Sequence, residues 1–197
     1  MNPFLVPIAS LRRAPGARRA EHRRGVVPPA DPDQAAVGLV LSGTVVPEGA
    51  EVEADVVLEV VSGGVFVSGL VTAPWRGDCR RCLGSVDGRL VAEVAELYAP
   101  RQAGAGHGGP DDETYPLALD FLDLTPCVRD AVLLGLPLAP LCRPGCLGLC
   151  PTCGADRNDG ACSCPEAGGD SRWAGLDALG GTASPGPGGR RRSGRLD

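Results

Sequence analysis

Cysteine is the residue type best placed to do chemistry in this 197-residue chain, and eight of its nine cysteines fall in close groups. Cys79 and Cys82 form one pair, while Cys142, Cys146, Cys150, Cys153, Cys162 and Cys164 crowd into one short segment. Cys150-Pro151-Thr152-Cys153-Gly154 has the spacing of a zinc knuckle. Two intervening residues let both sulfurs grip one ion at about 2.3 Å, and a glycine after the second cysteine can take positive φ. Backbone N–H groups in such a turn point at the thiolates and stabilise their charge. A structural zinc site takes four protein ligands. The nearest remaining pair is Cys142 and Cys146, so the spacing favours Cys142, Cys146, Cys150 and Cys153, with Cys162 and Cys164 as rival ligands.

Cys79-Arg80-Arg81-Cys82-Leu83 admits three readings. It could supply half a zinc site with Cys150 and Cys153 across space, form a redox dithiol whose thiolate pKa is lowered by Arg80 and Arg81, or be a structural turn with buried thiols. Thioredoxin-like chemistry requires the pair at a helix N-terminus after a strand, whereas Leu83-Gly84-Ser85 leads into another strand. His22 and His107 are the only imidazoles, and the sequence has no phosphate loop, serine elbow or paired-carboxylate motif. The reading is therefore a non-enzyme, with a thiol-disulfide oxidoreductase using Cys79 and Cys82 as the rival from another class. A zinc-binding protein-protein adaptor is a further alternative.

The elements that must position these thiols are mostly strands. Val37 to Val46, Glu51 to Val61, Gly64 to Thr72 and Val86 to Tyr98 are rich in valine and bounded by Gly, Pro or Asp. In the second, Val52, Ala54, Val56, Leu58 and Val60 alternate with Glu51, Glu53, Asp55, Val57 and Glu59, so one face is apolar and the other mostly acidic. Pro47-Glu48-Gly49 and Ser62-Gly63-Gly64 suit hairpin turns, which makes the pairing antiparallel. Thr125 and Pro126 announce a helix, Thr125 as N-cap and Pro126 in the first turn, and Pro137 ends it. That helix is so apolar that it should be packed on most sides, against the sheet and either a second element or a partner chain. Cys127, in its first turn, reads as a small core residue.

The expected fold class is α+β: an antiparallel sheet or partly open barrel, one buried helix and a Cys-rich zinc-binding C-terminal segment. Residues 1–35 read as a basic, Pro-rich arm with one possible strand at Phe4 to Leu11 and little regular structure beyond it. Residues 36–141 read as the core, with a flexible loop at 101–113. Residues 142–180 read as the zinc module with a short closing helix around Trp173, Leu176 and Leu179, and 181–197 as a disordered basic tail.

Composition narrows the partners. Gly and Pro make up about a quarter of the chain, close to the low-complexity range, and only 4% is aromatic. The net charge of −5 is unevenly spread: residues 1–25 carry six arginines against Glu21, and residues 186–197 carry four against Asp197. An acidic body with basic ends is not a basic-grooved nucleic-acid binder, although its arms could touch phosphates without sequence preference. The longest apolar stretch, Ala131 to Leu141, is broken by Pro137 and Pro140, so no membrane span is expected. Phe4 to Ile8 is too short for a secretory signal and has its charges on the wrong side, which predicts a cytoplasmic protein with reduced thiols.

The order of these features resembles the YceD family, the large ribosomal RNA subunit accumulation proteins. The resemblance rests on Cys79-Arg80-Arg81-Cys82-Leu83, Glu93 to Tyr98, and Leu122-Asp123-Leu124-Thr125-Pro126 with its helix to Leu136-Pro137. Cys142, Cys146, Gly148-Leu149-Cys150 and Cys153-Gly154 look like the Cys-rich ending of Gram-positive members, and Arg172-Trp173 with Leu176 and Leu179 like their closing helix. Leu11 to Gly16 is similar to the actinobacterial version. Asp130 stands where a Glu is more usual, and Ser171 replaces a usual Pro. The resemblance implies a non-enzymatic factor for large-subunit ribosomal RNA accumulation or processing, with a structural zinc. Its partners would be that RNA, ribosomal precursor particles or a ribosomal protein. Arg80, Arg81, Arg143 and Arg157, close to the cysteines, are the candidate contact residues.

Overall fold

The computed structural model describes residues 2–28, 39–100, 114–160, 162–164 and 172. The elements run β1 (Leu5–Pro7), a short 3-10 turn (Leu11–Arg13), β2 (Arg18–Gly25), β3 (Val40–Leu41), β4 (Thr44–Val45), β5 (Val52–Val61), β6 (Gly64–Asp78), β7 (Ser85–Ala99), β8 (Tyr115–Pro116), β9 (Phe121–Asp123) and α1 (Thr125–Gly135). The sheet is open and almost wholly antiparallel: β2-β5-β6-β4-β3 in order, with β7 on the other edge of β6 and the short β8 parallel to β7. Strands β1 and β9 pair separately.

The alternation read in the sequence holds. Val52, Ala54, Val56 and Leu58 of β5 are buried, as are Val65, Val67, Val71 and Ala73 of β6 and Leu90, Val94 and Tyr98 of β7. Period-two side chains thus form one apolar sheet face, against which α1 lays Cys127, Val128 and Val132. Gly69 sits at the centre of β6, opposite Val56 on one side and Val94 on the other.

Three expectations need correction. The Arg-rich stretch is not irregular: Arg18–Gly25 forms strand β2, paired along its whole length with β5. Its register sets Arg18 opposite Glu59, His22 opposite Asp55 and Arg24 opposite Glu53. Arg18 pairs with Glu59 at 3.3 Å, and Arg24 with Glu51 at 2.7 Å. Each exposed pair contributes at most about 1 kcal/mol. Their larger effect is that this arm meets acid within the chain and offers little free positive charge.

Second, the segment read as one strand to Val46 is a tight hairpin, Val40–Leu41 and Thr44–Val45, turning on Ser42 and Gly43, both at positive φ. Among the described residues α1 is buried on one face, and the second element or partner chain expected on its other side is not among them. Leu134 is 86% exposed, and Ala92, Val94, Ala131, Leu133 and Leu134 line an open groove of about 540 Å³ between α1 and β7. Third, Thr125 is the first helical residue rather than the cap, and the Asp123 carboxylate accepts its N–H at 2.9 Å. The expected loop at 101–113, most of the closing helix and the tail lie outside the described residues.

Candidate metal centres

Strands β6 and β7 make a hairpin of 15 residues a side, and Cys79-Arg80-Arg81-Cys82-Leu83-Gly84 is its tip. Cys79 N–H donates to the Gly84 carbonyl at 2.8 Å, and Leu83 N–H to the Cys79 carbonyl at 2.9 Å. The other Cys-x-x-Cys segment closes in the same way, with Cys150 N–H donating to Ala155 O at 2.8 Å and Gly154 N–H to Cys150 O at 2.9 Å. Both turns place the residue after the second cysteine at positive φ, +75° for Gly154 and +60° for Leu83. Two segments far apart in sequence therefore share one knuckle geometry. Leu83 bears the steric cost of that conformation while 66% exposed, so it gains little from burial. Leu83→Gly is expected to stabilise the protein by about 0.5 kcal/mol, read from the urea midpoint; a loss of stability would show that the leucine side chain contributes more than the strain costs.

The eight clustered cysteines form two sets of four, each with its sulfurs within 4.8 Å of one another. The first unites Cys79 and Cys82 with Cys142 and Cys146, and the second unites Cys150 and Cys153 with Cys162 and Cys164. The pairing differs from the one the spacing favoured. Cys142 and Cys146 turn to the hairpin tip, some sixty residues away in the chain, rather than to the adjacent knuckle. Sequence distance misled because antiparallel pairing of β6 and β7 and the docking of the segment after α1 decide the approach. Arg80 N–H, for example, donates to Pro140 O at 2.9 Å.

The donor sets fit a thiophilic ion. Cys79 and Cys146 sulfurs are 3.7 Å apart, as are those of Cys82 and Cys142. The edge of a tetrahedron with metal–sulfur bonds of about 2.3 Å is about 3.8 Å, whereas a disulfide bond measures about 2.05 Å. Cys79, Cys146 and Cys150 are buried yet lie outside the apolar core cluster, so they are covered by the knuckle loops themselves. Either set could hold a metal ion.

The electrostatics is that of a thiolate cradle. Backbone N–H groups of Cys82, Cys142 and Arg81 hold the Cys79 thiol at about 6, and the Arg81 N–H lies 3.5 Å from its sulfur. Those of Cys153 and Thr152 bring Cys150 to about 6. Negative charge on one sulfur is then resisted by its neighbours: the Cys146 thiol pushes Cys142 up to about 12, and Cys153 does the same to Cys164. A thiol whose folded pKa is depressed contributes stability that is complete above its ordinary value near 9 and is lost as pH falls through about 6. Protons and metal compete for the same sulfurs. Metal affinity should therefore weaken steadily as pH falls through about 6, measured by competition with a chromogenic metal indicator; an affinity unchanged between pH 7 and pH 5 would contradict this.

Asn158 escaped the sequence reading. Its side-chain amide donates to Cys146 Sγ at 3.4 Å and to Asp156 Oδ1 at 2.6 Å, while its Oδ1 accepts from Leu147 N–H at 2.8 Å and from Arg143 at 2.7 Å. Asp156-Arg157-Asn158-Asp159-Gly160, turn-forming residues between two cysteine pairs, was the available signal. The four candidate contact arginines all surround the sulfur sites on exposed residues. Arg80 is anchored to the Ser42 and Leu138 carbonyls and Arg81 to the Cys146 carbonyl at 2.8 Å. Cys127 joins neither set. It is buried, its thiol donates to Leu124 O, and burial raises its pKa to about 11, as suits a core thiol.

Comparison with known proteins places this arrangement. Residues 67–180, which span the hairpin, α1 and both cysteine sets, match the family model described as large ribosomal RNA subunit accumulation protein YceD. An uncharacterized protein of Mycobacterium tuberculosis is 39% identical over 153 residues, 78% of this chain and 70% of its own length. One of Mycobacterium leprae is 34% identical over 154 residues, 78% and 67% of the two chains. A maize protein named large ribosomal RNA subunit accumulation protein YCED homolog 1, chloroplastic, is 39% identical over 51 residues, 25% of this chain and 17% of its own. No solved structure matches. Among the described residues no helix is long and apolar enough to cross a membrane. With the family match covering more than half of its length, the chain belongs to the YceD family.

Proposed function

We propose that this protein is a non-catalytic, cytoplasmic factor for accumulation of the large-subunit ribosomal RNA, and that structural zinc holds its cysteine-rich module on the β6–β7 hairpin. The observation that carries the reading is the family match across residues 67–180. Zinc is favoured by two all-sulfur donor sets of four, the first with sulfur pairs at tetrahedral spacing, since structural zinc sites fill all four positions with protein ligands. When bound, it would supply a fixed cross-link and neutralise thiolate charge. It would have no open position for water.

The module presents Arg143 and Arg157 beside the metal sites, where a phosphate backbone or a ribosomal protein can meet them. Arg80 and Arg81 face the same region, but their guanidinium groups hold backbone carbonyls. Substituting them would disturb the fold together with any RNA contact. Arg143 donates to Asn158 at 2.7 Å. The test therefore uses Arg143→Glu with Arg157→Glu and, beside it, Arg157→Glu alone, each in the full chain and checked for unchanged metal content. Co-sedimentation with large-subunit precursor particles follows at several salt concentrations. The proposal predicts weaker association and a shallower salt dependence for the double variant. Depletion of the protein in cells should also lower large-subunit RNA relative to small-subunit RNA. An unchanged RNA ratio on depletion would overturn the role. Unchanged co-sedimentation of the double variant would remove RNA contact from this surface.

A further inference from the structure

We propose that the chain holds two zinc ions rather than one, and that the site at Cys79, Cys82, Cys142 and Cys146 must be filled for the site at Cys150, Cys153, Cys162 and Cys164 to form. The inference rests on the zinc reading above and extends it to number and order.

The two sets differ in what supports them. The first draws two ligands from the tip of the long β6–β7 hairpin, where Cys79 is fully buried, so half of it stands on the most extensive strand pairing of the sheet. The second takes all four ligands from residues 150–164, a segment with no strand or helix among its described residues, held by turn hydrogen bonds such as Cys150 N–H to Ala155 O and by the bridge from Leu149 to Asp156. Cys153 is exposed, and Cys162 and Cys164 are half-buried. By itself this segment is too short to bury a core, and it gains its shape from what it leans on.

It leans on the first site, through two residues. Arg81, inside the first knuckle, grips the connector on both sides: its guanidinium donates to Cys146 O at 2.8 Å and its carbonyl accepts from Leu149 N–H at 3.1 Å. Gly148, at φ +71°, packs so closely that an added Cβ would lie 2.9 Å from the same carbonyl. Asn158 makes the return contact. It lies between the two ligand pairs of the second site, yet its amide reaches the sulfur of Cys146 in the first, while Arg157 N–H donates to Gly148 O at 2.9 Å. Only Leu147, Gly148 and Leu149 separate Cys146 from Cys150. An ion that fixes Cys146 therefore fixes Asn158 and the start of the second knuckle. The coupling is mutual, but the hairpin tip takes its shape from β6 and β7, so the first site is the better preorganised and fills first. Loading is ordered.

Native mass spectrometry of the full chain, purified without chelator and re-equilibrated in zinc buffers, tests this. The wild type should carry two zinc ions. Cys162→Ser with Cys164→Ser should retain one at wild-type affinity, whereas Cys79→Ser with Cys82→Ser should lose both. Arg81→Ala and Asn158→Ala keep all eight ligands and the β-sheet, checked by circular dichroism. Each should weaken uptake of the second ion by at least about tenfold, the size expected for groups that orient metal ligands, with some loss at the first site as well because both residues also touch Cys146. One firmly held zinc in the Cys79→Ser, Cys82→Ser variant would overturn the ordering, and wild-type binding of both ions in the Arg81 and Asn158 variants would remove the link. A single ion in the wild type would overturn the count, and no zinc at all would defeat the underlying zinc reading as well.

Discussion

Stripping metal from the native protein with a strong chelator is expected to free residues 138–164 from the hairpin tip while the sheet and α1 persist. The apolar core runs from Phe4 to Leu136 and includes none of the eight clustered cysteines, so nothing in it depends on an ion. Among the described residues, none beyond Leu136 belongs to that core. Only a few hydrogen bonds join the module to the rest, among them Arg80 N–H to Pro140 O and Leu149 N–H to Arg81 O, each contributing about 1 kcal/mol. A structural zinc contributes about 10 kcal/mol in small zinc modules, far more than these contacts together. Limited proteolysis should accordingly cut the chelated protein between Leu141 and Gly160 and leave a stable fragment containing β1 to α1. The thermal midpoint of the module's transition should fall by about 20 °C. A cleavage pattern and midpoint indifferent to chelation would show that the thiols pack without metal.

The second large effect is expected in the sheet. Gly69→Ala should destabilise the protein by about 3 kcal/mol or more, because an added Cβ would lie 2.1 Å from the Asp55 carbonyl oxygen and 2.7 Å from Val56 Cα. Both neighbours are backbone of the paired strand β5, so no side chain can rotate away. The φ of +156° adds strain for any residue with a side chain. Gly63→Ala is the internal control. That glycine, in the β5–β6 turn, also has positive φ at +94°, but an added Cβ there meets nothing within 4 Å, so its cost should stay near 1 kcal/mol. Urea denaturation of the two variants measures the difference. Similar losses at both positions would mean that close approach at Gly69 is relieved by movement of the strands.

Much of this was legible from residue order. The two-residue period of β5, the hairpin turn at Gly63 and the Pro126 helix start are local signals, and local chemistry decides them, whereas Gly49 makes a turn but no hairpin, since β4 pairs with β3 and β6 rather than with β5. The run from Arg18 to Arg24 was misread because charge in a Pro-rich neighbourhood suggests a solvated tail. Its strand character appears only when Glu53, Asp55 and Glu59 line up across the ladder. Leu134 was expected to be covered by the sheet, a second element or a partner chain, and its apolarity does not say which; the described part of the sheet does not reach it.

The candidate site divides in the same way. Both Cys-x-x-Cys turns, as well as the ligand character of eight thiols, were visible in spacing. The partition into two sets was not, because it depends on a hairpin tip meeting the chain beyond α1. Leu83 at φ +60° also gave no warning, since a leucine is the residue least indicative of a left-handed turn.

The central claim, that metal holds the cysteine module to the hairpin, is tested most directly by counting alkylatable thiols in the native full-length protein before and after chelation, with the modified residues mapped by peptide mass. The account predicts that Cys79, Cys82, Cys142, Cys146, Cys150, Cys153, Cys162 and Cys164 are protected until metal is removed and then react together. Cys127, buried in the first turn of α1 beside Tyr98, should stay unreactive until the core unfolds. Immediate alkylation of the clustered cysteines without chelator, or a Cys79–Cys82 disulfide that cycles with mild reductant, would contradict the account and make a redox dithiol the better description of the hairpin tip.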